Sequence, residues 1–251
     1  MKEDYVMNPI GKIINKLLAI VGFKIERIVP IDPRIREKYS ELIPIFTDAC
    51  GNDIYEFGVW GGNSMKLIAD LYEKNNCVIR KMFGFDSFQG LPEEKNDLHA
   101  PWQTGAFNAT KLFKTKGTSE TIKKVYEIIG SRDFNVVLIP GFWDKMLCDD
   151  LVEKHDMKSA GLINIDCDLY TSAYFALDFM FRNKLATKGT SIRYDDWGGT
   201  LLTSMEYQSG ESRAHREIQE KYNVEFSLVS KIGTPPNVCV IFKVESIGWR
   251  N

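Results

Sequence analysis

Asp166 and Asp168 stand one residue apart at the end of a short apolar run, GLINI at 161–165, and Asp195-Asp196 closes a second strand-like run at 189–194. Clustered carboxylates repel one another, so one of them takes up a proton unless something positive sits among them. A divalent hard cation resolves that repulsion. An all-oxygen ligand set without a cysteine or histidine cluster favours Mg²⁺ over zinc, with Mn²⁺ or Ca²⁺ as alternatives. Asp166, Asp195 and Asp196 make the best set, which leaves Asp168 to act as a base. If the strand conformation persists to Asp168, its period of two points Asp166 and Asp168 to the same side. The plainer reading, that some of these residues only cap the helices that follow, stays open.

A second constellation is EFGVWGG at 56–62, read as a strand–loop–helix unit. Glycines let a backbone turn tightly and approach a ligand closely. The pattern is E-x-G-x-x-G-G and not the dinucleotide G-x-G-x-x-G, and the negative charge of Glu56 suits a sulfonium cofactor better than a pyrophosphate. Asp86, at the next strand end, is placed to accept hydrogen bonds from ribose hydroxyls. The aromatic pair Phe142 and Trp143, after a third strand, would lie near a bound purine or pack in the core. Among the histidines, His155 and His215 fall in helical stretches expected to be exposed, and His99 is an outside candidate for the base.

The elements that must position these groups alternate. Strands are expected at 53–59, 78–85, 135–139, 159–166 and 190–194. Helices are expected at 33–50, 65–74, 109–129, 144–153, 172–184 and 212–222. Two last strands, 224–229 and 237–244, are joined by the turn-rich GTPPN at 233–237. Such alternation argues for a mostly parallel sheet covered on both faces, and the last pair, lacking a helix, must include an antiparallel strand. Right-handed crossovers bring the ends of the first, second, fourth and fifth strands to one edge. The polar stretch 93–108 is long for a structureless loop and reads as part of a lid over 93–120.

With 251 residues the chain has length for a sizeable core, read as one α/β domain over 51–251 behind a helical extension at 1–50. Its 32 Lys and Arg against 34 Asp and Glu, net −2, leave no footprint for nucleic acid. Five scattered cysteines (Cys50, Cys77, Cys148, Cys167, Cys239) without a CxxC argue against a disulfide framework and for a reducing, cytoplasmic setting. No apolar run is long enough to span a bilayer. Residues 10–28 read as an amphipathic helix packed on the domain or on a partner subunit, with membrane-surface docking as the alternative, so a homo-oligomer is expected.

EFGVWGG at 56–62, FDSFQGLP at 85–92, IDCDLYTS at 165–172 and YDD at 194–196, in series, resemble the macrocin O-methyltransferase family, S-adenosylmethionine-dependent enzymes that methylate sugar hydroxyls of antibiotics. WQTGAF at 102–107 is similar to the family's W-x-x-G-D-F segment, with Ala106 where an acidic residue is usual. The resemblance implies a class I methyltransferase (Rossmann-like) fold, with a seven-stranded sheet, one strand antiparallel and helices on both faces. It implies Mg²⁺ on Asp166, Asp195 and Asp196, Asp168 as general base, and a sugar-containing small-molecule acceptor, either a natural-product glycoside or a polysaccharide or nucleotide-sugar precursor. Cofactor contacts are expected from Glu56, Phe57, Gly58, Gly62, Asn63, Ser64, Asp86, Ser87, Gly141, Phe142 and Asp166. A catechol-type methyltransferase and a metal-dependent hydrolase or phosphotransferase stand as alternatives, the latter weakened by the lack of a P-loop.

Overall fold

The computed structural model describes residues 50–94, 102–198, 208–234 and 237–249. The helices expected at 10–28 and 33–50, the extension 1–50 except Cys50, and His99 lie outside them. Seven strands form one sheet among the described residues: β1 (Asp53–Phe57), β2 (Lys81–Asp86), β3 (Asn135–Pro140), β4 (Ala160–Ile165), β5 (Ser191–Tyr194), β6 (Val224–Thr234) and β7 (Asn237–Ile247). Their order is β3-β2-β1-β4-β5-β7-β6. The first five pair in parallel, and β7 runs antiparallel to both β5 and β6. The sheet is therefore mostly parallel with one reversed strand, as the alternation of elements predicts.

Every residue of β1 and β4 is buried, as expected of central parallel strands covered on both faces. Stacked pairs Tyr55–Phe83 and Phe57–Phe85 fill the space between β1 and β2 on one face. Among the described residues the helices are α1 (Asn63–Lys74), α2 (Ala109–Phe113), α3 (Thr118–Ile129), α4 (Trp143–Met146), α5 (Asp150–Lys154), α6 (Tyr170–Arg182) and α7 (Gly210–Tyr222). Registers Phe57↔Phe85, Phe57↔Ile165 and Ile165↔Tyr194 bring the ends of β2, β1, β4 and β5 level. That row of strand ends is where the chemistry-bearing residues emerge.

Three expectations need correction. The helix expected at 109–129 is two: Lys114 adopts a left-handed conformation (φ 55°) and closes α2, and Asn108 caps that helix through Lys111 N–H at 2.8 Å. Threonine hydroxyls hold the break, Thr115 to Thr121 at 2.5 Å and Thr121 to the Gly117 carbonyl at 3.0 Å, in competition with helical pairing. The helix expected at 144–153 is likewise split into α4 and α5. Cys50 and Cys77, expected to be free, form a disulfide beside the starts of β1 and β2, so the cysteines no longer argue for a reducing compartment. Among the described residues no helix is long and apolar enough to cross a membrane.

Candidate active site

The glycine loop after β1 is shaped first by packing. Gly58 has φ 99°, and a Cβ there would stand 1.7 Å from the Asp166 carbonyl oxygen. Only glycine lets the exits of β1 and β4 lie that close. Gly62, at φ 82°, begins α1, and a Cβ there would press on Val125 of α3 at 2.9 Å. Asp86 then fastens the loop to β2. Its Oδ2 accepts the Val59 and Trp60 N–H groups at 2.9 and 2.7 Å, and Oδ1 accepts Phe88 N–H at 2.5 Å. One of the four acceptor positions of that carboxylate is left for a ligand. Burial raises the Asp86 pKa, and the three backbone N–H groups oppose the rise.

A cavity of about 1090 Å³ opens over these strand ends. Gly58, Asn63, Ser64, Asp86, Ser87, Gly141, Phe142 and Asp166, all expected at a cofactor, line it, as does Asp168. Glu56, Phe57 and Gly62 do not: the first two point into the core from β1, and Gly62 turns its back to α3. Glu56 is fully buried behind Ser64, whose hydroxyl donates to its Oε1. Burial pushes the Glu56 carboxyl up to about 8. That rise favours the protonated carboxyl in the ligand-free protein, where the sequence led to the expectation of a negative charge.

Asp166, Asp195 and Asp196 each offer a carboxylate oxygen within 4.8 Å of the others. Asp168 reaches the same cavity by a different route from the one its spacing suggests. β4 ends at Ile165, and Asp168 takes a left-handed conformation (φ 65°) just before α6, so no strand period aligns it with Asp166. Its Oδ1 accepts the indole N–H of Trp102. Burial, then Asp196, raise the Asp168 pKa well above the ordinary range, while the Trp102 N–H opposes the rise. Asp166 is raised likewise by burial and by Asp195, Asp168 and Asp196. An assembly of carboxylates that raise one another's pKa in this way fits a hard divalent cation, which would hold them ionised.

Three buried residues that sequence reasoning passed over support this cluster. Arg193, with no exposed surface, donates to Asn164 Oδ1 at 2.7 Å and to Asp195 Oδ1 at 2.5 Å. Glu56, Asn164 and Arg193 are cross-strand neighbours on β1, β4 and β5, a polar row one residue below the strand ends. Polar residues at equivalent positions of three apolar strands were the available signal. Glu211, in the first turn of α7, is the third; it accepts the backbone N–H groups of Cys167 and Asp196 at 3.2 and 3.1 Å.

A family model described as macrocin-O-methyltransferase (TylF) matches residues 33–224. The chain belongs to that family. Over 138 residues it is 28% identical to the 8-demethyl-8-(2,3-dimethoxy-alpha-L-rhamnosyl)-tetracenomycin-C 4'-O-methyltransferase of Streptomyces olivaceus, a match that spans 53% of this chain and 49% of that protein. Among solved structures it resembles the O-methyltransferase NovP (TM-score 0.55, 19% identity, 85% of this chain and 79% of the other). It also resembles CalS11, a calicheamicin methyltransferase (TM-score 0.55, 18% identity, 95% and 87%). These likenesses carry the fold, which is that of class I methyltransferases.

In this macrocin-O-methyltransferase family member the segment after β2 folds back over the cavity. Leu91 N–H donates to the Ala106 carbonyl at 2.9 Å and Gly105 N–H to the Leu91 carbonyl at 2.9 Å, which pins both ends of the loop. Ala106, the departure from the family pattern, thus contributes through its backbone. Trp102, Thr104, Gly105 and Phe107 line the cavity, and Phe107 meets Trp60 edge-on at 6.0 Å at its rim. Neither described histidine takes part. His215, expected to be exposed, is buried against Phe226 and Phe242 with its Nδ1 at 2.9 Å from the Tyr194 hydroxyl, and burial pushes its pKa down to about 3. His155 lies at the far end of the sheet, its carbonyl accepting from Lys81 at the start of β2.

Proposed function

We propose that this chain is an S-adenosylmethionine- and Mg²⁺-dependent O-methyltransferase acting on a sugar hydroxyl of a glycosylated natural product. The observation that carries the reading is the meeting of Asp166, Asp195 and Asp196 within 4.8 Å on the wall of the cavity that also holds the glycine loop. Family membership and the sugar O-methyltransferase from Streptomyces olivaceus support the acceptor class.

Each residue then has a task. Gly58, Ser64 and Asp86 shape the side of the cavity where the methyl donor would lie, and the remaining acceptor position of Asp86 suits a ribose hydroxyl. S-Adenosylmethionine, when bound, supplies the electrophilic methyl group. Asp166, Asp195 and Asp196 would hold Mg²⁺, which orients acceptor hydroxyls and lowers their pKa when present. Asp168, held by the Trp102 indole, accepts the proton of the attacking hydroxyl. Trp102 and Phe107, on the segment folded over the cavity, exclude water and limit the space open to the acceptor. Much of the acceleration comes from keeping the two reactants in near-attack geometry.

The test is incubation with S-adenosylmethionine, Mg²⁺ and a panel of rhamnosylated aglycones and simple catechols. The expected outcome is a mass gain of one methylene on a glycoside with release of S-adenosylhomocysteine. Methylation of catechols alone would redirect the reading to the catechol-type alternative.

A further inference from the structure

The β4–β5 ladder ends where Asp195 N–H donates to the Ile165 carbonyl at 3.0 Å. Past that bond no backbone–backbone hydrogen bond joins segment 166–168 to Asp196, and Asp166, Asp168, Asp195 and Asp196 sit at or just past this end of the ladder. Two buried backbone donors, Cys167 N–H between Asp166 and Asp168 and Asp196 N–H in the second pair, both turn to one side chain. Glu211 Oε1 takes the first at 3.2 Å and Oε2 the second at 3.1 Å. Glu211 has no exposed surface and stands in the first turn of a 13-residue helix. Both its oxygens are committed to backbone, and it is not among the residues whose oxygens converge with those of Asp166, Asp195 and Asp196.

We infer that Glu211 is a positioning residue that continues the β4–β5 pairing past the end of the ladder and so sets the distance between the aspartates of the two strand exits. The inference rests on the metal reading above. Its consequence is selectivity: Mg²⁺ demands near-ideal octahedral geometry, whereas Ca²⁺ accepts a looser and larger cage. A support that fixes the spacing matters more for the smaller ion. Glu211→Gln keeps the shape but places an amide donor against one of the two N–H groups, which releases one exit segment.

The experiment is calorimetric titration of Mg²⁺ and of Ca²⁺ into wild-type protein and Glu211→Gln, with S-adenosylhomocysteine affinity as a check that the fold and donor side are intact. Loss of a supporting hydrogen bond behind metal ligands costs about 10–100-fold in affinity. Mg²⁺ affinity should fall by about tenfold or more and Ca²⁺ affinity by clearly less. An equal fall for both ions would reduce Glu211 to a distant charge, and no fall for either would remove it from the site; both overturn the inference. Amide hydrogen exchange in wild-type protein does not depend on the variant folding. Cys167 and Asp196 should be protected, and exchange at the rate of exposed loop amides would overturn the clamp. Wild-type protein that takes up no Mg²⁺ would bring down the metal reading and this inference with it. Uptake by wild type with an unaltered variant would bring down this one alone.

Discussion

Asp168, proposed above as the base, faces the cavity with one oxygen engaged by the Trp102 indole N–H. Replacement by asparagine keeps the shape and removes the proposed proton acceptor. Asp168→Asn should lower turnover about 100-fold or more, the usual worth of a general base, while leaving S-adenosylhomocysteine affinity unchanged in calorimetry. An undiminished rate would place the base elsewhere. Glu56 yields a prediction about pH. Its folded pKa, about 8, lies above the ordinary value of 4.5, so the folded protein binds a proton there that the unfolded chain has released. The contribution is fully present below the unfolded pKa and is lost as pH rises through about 8. Glu56→Gln, neutral throughout, should gain on wild type by roughly a few kcal/mol between about pH 5 and pH 9, read from urea midpoints of ligand-free protein. Parallel pH curves would contradict the buried, protonated state. The aspartates were legible because each pair follows a recognisable strand. Glu211 and the Trp102–Asp168 bond were not: the two backbone bonds of Glu211 reach across 44 and 15 positions, and the indole bond across 66. No local pattern encodes such contacts.

At the scale of elements, the glycine loop is a packing device before it is a binding one. Gly58→Ala would drive a methyl group into the Asp166 backbone and force a left-handed φ on alanine. It should cost about 3 kcal/mol or more in urea unfolding, at the upper end for overpacking combined with backbone strain. A loss of donor affinity without any loss of stability would mean that the glycine serves ligand approach alone. Strand directions were legible because helix-length segments separate the first five strands and none separates the last two. Element ends were less so. The left-handed turn at Lys114 sits beside threonine hydroxyl bonds that hold the break after α2, and Asp168 turns left-handed just past the end of β4; helical or strand periodicity registers neither.

Over the whole molecule, the sheet gathers at one edge what the chain holds far apart. β1 and β2 supply the glycine loop and Asp86, β4 and β5 the aspartates, α7 the carboxylate that ties the exits of β4 and β5, and the segment after β2 the cover. The Cys50–Cys77 disulfide closes the opposite end, beside the starts of β1 and β2, and was missed because cysteine spacing alone does not reveal which pairs meet. Asp166, Asp195 and Asp196 are proposed to share one divalent cation beside the methyl donor. Turnover of EDTA-treated enzyme on its acceptor, back-titrated with Mg²⁺, decides whether they do. Activity should vanish in chelator, return with Mg²⁺, and fail to return in Asp195→Ala at the same Mg²⁺ concentration; full turnover in EDTA would rule out the shared cation.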